Sequence, residues 1–419
     1  MKKPDVSRLL LAALIAAATS PAWPAGAEPD ADLLGRAQGY PVGGPSNWYQ
    51  TGYRVGSWST IEKIGLPVRT VERGGPVREL PRVASPPALQ YRYRNINYTL
   101  DEYLERRRIT GLLVLKNGEI VAEHYRYART PEARFLSFSM AKSVTSLLVG
   151  IAVDKGLIAS LDDPAQKYAM VMADSPYGAT TIRQLLRMSS GIGFSENYDG
   201  NDDISKLSRS MAGSGQRPAQ LLKTFTDRIN PPGEKFVYAT AETEVLSRVL
   251  TGAAGGKTMS ELTSEWLWKP LGAERDAVWK IAVDGQEQAG GGFAATLRDW
   301  GRLGMMLAND GKVGDQQIVP REYLLDATDV ARQPSAFAPG RATPYLGYGY
   351  QFWLSPQKTR TFMLQGIHGQ TVLVQPSSGI VVVQAAVYEK ASGRQDSDPY
   401  VERSAMLLGV LRSLGGAIN

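Results

Sequence analysis

Cysteine is missing altogether from the 419 residues, which excludes disulfides and membrane anchoring through a lipidated cysteine. Histidine is nearly missing, with only His124 and His368. There is no G-x-S-x-G elbow and no H-E-x-x-H pair. A Ser-His-Asp triad would therefore rest on His368 without the strained turn that exposes its serine. His124 lies in a predicted strand beside Tyr125 and reads as structural. With no cysteine and no close histidine pair, metal catalysis has little to stand on, and no cofactor is expected. Any hydrolase built from this chain needs a base other than histidine.

Other absences narrow the classes further. The net charge of +6 is spread along the chain, with no dense Lys/Arg block interleaved with aromatics, so no nucleic-acid partner is expected. No internal repeat or low-complexity tract occurs. Beyond the N-terminus no apolar run reaches the length of a membrane span. What is present is globular: 43% hydrophobic and 21% charged residues support two or three lobes around sizeable cores.

Residues 1–27 read as a secretory signal peptide. Lys2, Lys3 and Arg8 precede the apolar stretch Leu9–Ala18, and Ala25-Gly26-Ala27 offers a small-residue cleavage site. The expectation is cleavage after Ala27 and a periplasmic or secreted protein. Residues 28–90, rich in Gly, Pro and Arg without periodicity, read as an extended arm lying over the main body.

Structure then becomes legible. "TLDEYLERRR" is a short helix capped by Thr99 with Glu102 three residues on. "ITGLLVLKNGEIVAEHYRY" is a hairpin around Asn117-Gly118. A helix from about Ser139 to Asp154 stops at Gly156. Helical patterns dominate residues 157–289, and "GGGFAATLRDWGRLGMMLANDGK" reads as a glycine turn followed by an amphipathic helix. Strands follow in "GYGYQFWL", "RTFMLQG", "TVLVQ" and "IVVVQAAVY", before a last helix at about 398–414. The fold class is therefore α/β (α+β). Residues 91–156 and 290–419 form one domain, an antiparallel sheet flanked by helices, and residues 157–289 form an inserted helical domain.

"FSMAKSVTSLLVG" supplies the missing base. On a helix, positions i and i+3 share a face, so the Lys142 amine can reach the Ser139 oxygen. The ordinary reading is a helix start, with Ser139 near the N-cap and Lys142 in water. A solvated lysine has a pKa of about 10.4 and is a poor base at neutral pH. The apolar run behind it provides the burial that lowers an amine pKa. Spacing alone decides little, because Ser355 and Lys358 repeat it in a proline-bearing turn. Tyr238 adds a phenol able to share a proton with an amine. Its ordinary reading is a buried tyrosine with a satisfied hydroxyl.

Taken in order, these segments resemble the serine β-lactamase and penicillin-binding superfamily, across about residues 95–414. "FSMAKSVTSLLVGIAVDKGLI" resembles the nucleophile helix, "TIRQLLRMSSGI" the segment after it, and "PPGEKFVYATAETEVLSRVL" the tyrosine motif, with Thr240 where the Y-x-N form has Asn. "GGGFAATLRDWGRLGMMLANDGK" resembles a further long family segment. The resemblance implies a β-lactamase/transpeptidase-like fold, Ser139 as nucleophile, and Lys142 with Tyr238 as the proton-transfer pair. It also implies an oxyanion site on the backbone N–H groups of Ser139 and Ile367.

The family's K-T-G strand falls on Leu364-Gln365-Gly366, or after a short slip on His368-Gly369-Gln370. Neither register offers a lysine, which weakens a β-lactamase reading. The pattern is similar to the 6-aminohexanoate-dimer hydrolase and esterase branch. There Tyr198 matches a tyrosine that closes over substrate and Trp353 a tryptophan lining the site. Gly366 and His368 stand beside the oxyanion residue.

The expected function is an exported serine hydrolase acting on a small-molecule amide or ester. Alternatives are a β-lactamase or D,D-carboxypeptidase acting on cell-wall peptides, and, in another class, a non-catalytic envelope binding module.

Overall fold

The computed structural model describes residues 26–419; the expected leader therefore lies outside the described residues, except for Gly26 and Ala27. No helix among the described residues is long and apolar enough to cross a membrane.

The strand Ile109–Lys116 is buried along nearly its whole length, as a strand covered on both faces must be. It pairs with Glu119–Tyr125 through the Asn117-Gly118 turn and with Ile380–Ala386 on its other side. Gln370–Gln375, Phe362–Gly366, Trp353–Leu354 and Gly347–Tyr348 continue outward, completing seven strands with every neighbouring pair antiparallel.

Side chains alternate across this sheet. Leu113, Leu115, Val372, Val374 and Val381 share a core with Leu303 and Met306 of the helix Leu297–Ala308 and with Val144 and Leu148 of the helix Met140–Asp154. Leu112, Val114, Leu373 and Val382 face the opposite way, onto Met406, Leu407, Val410 and Leu411 of the helix Asp398–Ser413. Each such side chain contributes about 1.5–3 kcal/mol by leaving water. The result is a sheet sandwiched between Met140–Asp154 with Leu297–Ala308 on one face and Asp398–Ser413 on the other.

The other helices follow their capping residues. Thr99 and Glu102 form the expected capping box on Leu100–Arg106. Thr181 and Gln184 form another at Ile182–Leu186. Residues 157–289 contribute mainly helices and turns, among them Thr240–Ala253, which packs on the helix Met140–Asp154.

Three expectations need correction. "FAAT" is a strand, Phe293–Thr296, inserted between the glycine turn and the amphipathic helix. "GYGYQFWL" is two short strands around a turn, in which Gln351 adopts φ 64° and donates its side-chain amide to Leu185 and Leu186 carbonyls. Glutamine is an uncommon turn former, so the break is hidden in the sequence.

The arm is also more than a cover. Val68–Val71 pairs with Ala277–Lys280, which pairs with Phe293–Thr296, which pairs with Arg134–Leu136, giving a second, four-stranded antiparallel sheet. Leu34, Val55, Trp58 and Ile61 of the arm form a small core with Phe138 and Val278. Helical turns of three or four residues build that part of the arm. Such turns are too short to print a period on the sequence.

Candidate active site

Ser139 stands where the second sheet hands the chain to its longest buried helix. Ser137 N donates to Phe293 O at 2.8 Å, and Phe138 then takes φ 45°, a conformation costing a bulky residue on the order of 1–3 kcal/mol. An aromatic cage holds it there: Trp58, His368 and Tyr49 pack on its ring with centroids at 4.9, 5.8 and 6.2 Å. Ser139 follows as the residue before Met140–Asp154, but its side chain makes no capping bond. The half-buried hydroxyl receives instead a bond from Lys142 Nζ at 3.0 Å.

Lys142 is not in water. It is 1% exposed, and its amine also donates to Gly290 O at 2.6 Å. Burial lowers its pKa to about 8, opposed by the nearby Glu196 and Glu244 carboxylates. At that value about one lysine in ten is a neutral base at pH 7.

Tyr238 closes the triangle. Its hydroxyl lies close enough to Ser139 for the serine to favour the phenolate, and its ring lies 5.1 Å from the Lys142 amine. Burial, with Glu196 beside it, holds the phenol well above its ordinary pKa of 10.0. The tyrosine is therefore a proton donor at neutral pH, and the lysine is the group able to accept one.

On the opposite side of Ser139, the strand Phe362–Gly366 comes in at the closest approach its backbone permits. A Cβ on Gly366 would lie 2.3 Å from Ser137 O and 3.2 Å from Phe138 Cβ. The Leu364-Gln365-Gly366 register is thus the one whose glycine packs against the turn into Ser139. The ladder with Gln370–Gln375 ends at the Gly366–Gln370 pair, so the N–H of Ile367 lies beyond it. The N–H of Ser139, at a helix start, has no intrahelical acceptor.

The remaining expected residues divide. Trp353 stacks on Tyr238 at 5.5 Å and 25°, continuing into Tyr348 and Phe236 as one aromatic wall. Tyr198 donates to Glu196 Oε1 at 2.6 Å and lies close enough to Tyr238 and Tyr49 to be influenced by both.

His368 is different. It is 2% exposed, with Nδ1 2.8 Å from Tyr388 O and Nε2 2.5 Å from the Tyr49 hydroxyl. Desolvation, with Arg54 nearby, lowers its pKa to about 3. A neutral imidazole with both nitrogens engaged orients Tyr49 and ties the strand end to Tyr388, the holding role that its place beside Ile367 left open next to substrate contact. His124 sits on the far edge strand, four strand spacings, about 19 Å, from Phe362–Gly366. The second S-x-x-K, at Ser355 and Lys358, lies in a turn.

Sequence reading missed three participants. Glu196 accepts from Thr240 N at 2.7 Å and Thr240 Oγ1 at 2.8 Å, so the threonine of the tyrosine motif secures a carboxylate near Lys142. Glu244 accepts from Gly290 N at 2.8 Å, and burial raises its pKa to about 7. Gly290 completes the socket. The signal was present in "ATAETEVLS", where acids interrupt a helix otherwise fit for burial, and in three successive glycines at 290–292.

The family described as Beta-lactamase matches residues 96–405. The 6-aminohexanoate-dimer hydrolase of Paenarthrobacter ureafaciens is 28% identical over 393 residues, spanning 90% of this chain and 96% of that protein. A provisionally named 6-aminohexanoate-dimer hydrolase from Bacillus anthracis superposes with a TM-score of 0.76 at 21% identity, over 88% of this chain and 99% of that one. EstCE1, a hydrolase with promiscuous acyltransferase activity, superposes with a TM-score of 0.57 at 17% identity, over 75% and 96% of the two chains. These two likenesses speak for the fold.

Proposed function

The chain belongs to the Beta-lactamase family and is a hydrolase of that fold, and from this we propose that it cleaves a linear amide or a carboxylic ester through an acyl-enzyme on Ser139. The observation that carries this reading is the 3.0 Å contact between the Ser139 hydroxyl and a fully buried lysine amine. Neutral Lys142 takes the Ser139 proton as Oγ attacks the carbonyl carbon. The tetrahedral oxyanion rests on the N–H groups of Ser139 and Ile367. Tyr238 gives its proton to the departing nitrogen or oxygen and is reprotonated from Lys142. Water attacks the acyl-enzyme along the same proton path and releases the acid, returning Ser139 to its starting state.

The aromatic wall of Trp353, Tyr238, Tyr348 and Phe236 supports an extended apolar substrate. Substrates of the kind named for the Paenarthrobacter ureafaciens relative, linear 6-aminohexanoate amides, fit that description. The strand Phe362–Gly366 carries no lysine, which favours this reading over a lactam antibiotic. The leader-like N-terminus supports action outside the cytoplasm.

The test is hydrolysis of p-nitrophenyl butyrate, 6-aminohexanoate dimer and nitrocefin by the wild type and Ser139→Ala. Loss of turnover in Ser139→Ala, with a fluorophosphonate adduct on wild-type Ser139, is expected; retained ester hydrolysis would overturn the mechanism. Nitrocefin as the best substrate would move the reading to β-lactam hydrolysis.

A further inference from the structure

A lysine in the middle of "AVWKIAV" is out of place for a strand hydrogen-bonded on both sides. Lys280 ends the strand Ala277–Lys280 and is 8% exposed. Its neighbour on the same face, Val278, packs into the small core with Phe138 and Trp58. The Lys280 amine lies 4.5 Å from the centre of the Trp48 ring, and Glu244 is its nearest carboxylate influence. Among the described residues, no oxygen accepts a hydrogen bond from it, in contrast to Lys142, which has two acceptors.

Burying an ammonium without an acceptor is costly. Burial accordingly lowers the Lys280 pKa to about 8, so most of it is still charged at pH 7. An indole face repays part of that cost, but it offers no lone pair.

The position is next to the chemistry. The backbone N–H of Lys280 donates to Gly292 O at 2.8 Å, and the Lys142 amine donates to Gly290 O, so both residues meet one glycine turn. Trp48 meets Tyr49 edge-on at 5.4 Å, and Tyr49 meets Phe138, the residue before Ser139. Tyr49 is 37% exposed, so this wall reaches solvent beside the nucleophile.

Resting on the hydrolase reading above, we propose that Lys280 and Trp48 form a subsite that binds a carboxylate on the substrate, away from the scissile bond. Its neighbour selects the charge: Glu244 lies close to Lys280, so a monoanion is tolerated where a phosphate dianion is repelled. The indole flanks the methylene chain that carries the acid. The substrate class is thereby narrowed to amides or esters that end in a free carboxylate.

The experiment compares mono-p-nitrophenyl esters of succinate, glutarate, adipate and pimelate with their methyl-capped counterparts. The readout is the ratio of kcat/KM for free acid to capped ester, in which general damage to the enzyme cancels. The wild type is expected to favour the free acid at one chain length. Lys280→Met should lower that ratio roughly 10- to 100-fold, mainly through KM, and Lys280→Arg should keep most of it. A wild type that prefers the capped esters, or an undiminished ratio in Lys280→Met, overturns the proposal.

A second arm needs no turnover: calorimetric titration of hexanoate into the wild type, Lys280→Met and Lys280→Arg. Binding that requires the cation supports the subsite, and equal or absent binding in all three refutes it. Residual ester hydrolysis in Ser139→Ala would instead strike the acyl-enzyme reading, so the two failures are told apart.

Discussion

The Lys142 amine is held more closely by the Gly290 carbonyl, at 2.6 Å, than by Ser139 Oγ, at 3.0 Å. The carbonyl takes one N–H and thereby aims the rest of the amine at the serine. A neutral amine so placed keeps its lone pair for the Ser139 proton. Gly290 has no room for a side chain, because a Cβ would stand 2.5 Å from Thr240 Cγ2 and 3.2 Å from Glu244 Oε1. Gly290→Ala is expected to cut kcat about 100-fold, the effect of a misplacement near 1 Å. Steady-state assays with p-nitrophenyl butyrate check this, with circular dichroism to confirm folding; full activity would mean the socket is not needed.

Removing the base should stabilise the protein. In the unfolded chain Lys142 titrates near 10.5, whereas in the fold its pKa is about 8. The charged form is therefore the disfavoured one in the native state, at a cost of about 3 kcal/mol below pH 8. That cost fades as pH rises from 8 to 10.5, where the unfolded state alone holds the extra proton. Lys142→Met, inactive, should gain about 1–3 kcal/mol in urea unfolding at pH 7, some of the relief being offset by the unpaired Gly290 oxygen. The gain should shrink by pH 10. A destabilised variant at pH 7 would contradict the burial account.

The rate should rise with pH through the Lys142 titration. kcat/KM for the neutral ester is expected to climb with a midpoint near 8 as the amine loses its proton. Glu196 and Glu244 favour the protonated amine, so deleting either charge makes the proton easier to lose. Glu196→Gln and Glu244→Gln should each move the midpoint down, by about one unit. An upward or absent shift in both pH–rate profiles would remove Lys142 as the group observed.

Tyr238→Phe separates proton donation from packing. The ring would keep its stack on Trp353, so KM should change little. kcat for an amide or an alkyl ester should fall by about 10²–10⁴. The p-nitrophenyl ester, whose leaving group needs no proton, should suffer much less. Equal losses on both substrates would mean the phenol serves another role.

The sequence made the parts with local rules readable. Thr99 with Glu102, Asn117 with Gly118, and Ser139 with Lys142 lie within a turn of each other, where backbone geometry dictates proximity. Their ordered combination with Tyr238 and Gly366 pointed to the fold now borne out by the family match. The meeting of Trp48 with Lys280 was not legible, because it depends on a sheet that joins residues 68–71, 277–280, 293–296 and 134–136, and Glu196 was not, because it reaches the site by bonding Thr240, 44 residues away. The partners of His368 were hidden for the same reason: adjacency to Ile367 left strand-holding and substrate contact both open, and the fold turns its ring onto Tyr388 and Tyr49.

The pairing of Val68–Val71 with Ala277–Lys280 has a practical side. Anyone trimming the chain to the matched span, 96–405, would strip off the outer strand of that sheet. The backbone of residues 277–280 would then face solvent as a raw edge, next to apolar surface that the arm had covered. Such an edge recruits other chains. A shortened gene product should therefore go into inclusion bodies, and expression that keeps the arm at residues 28–95 is the sound starting point for purification.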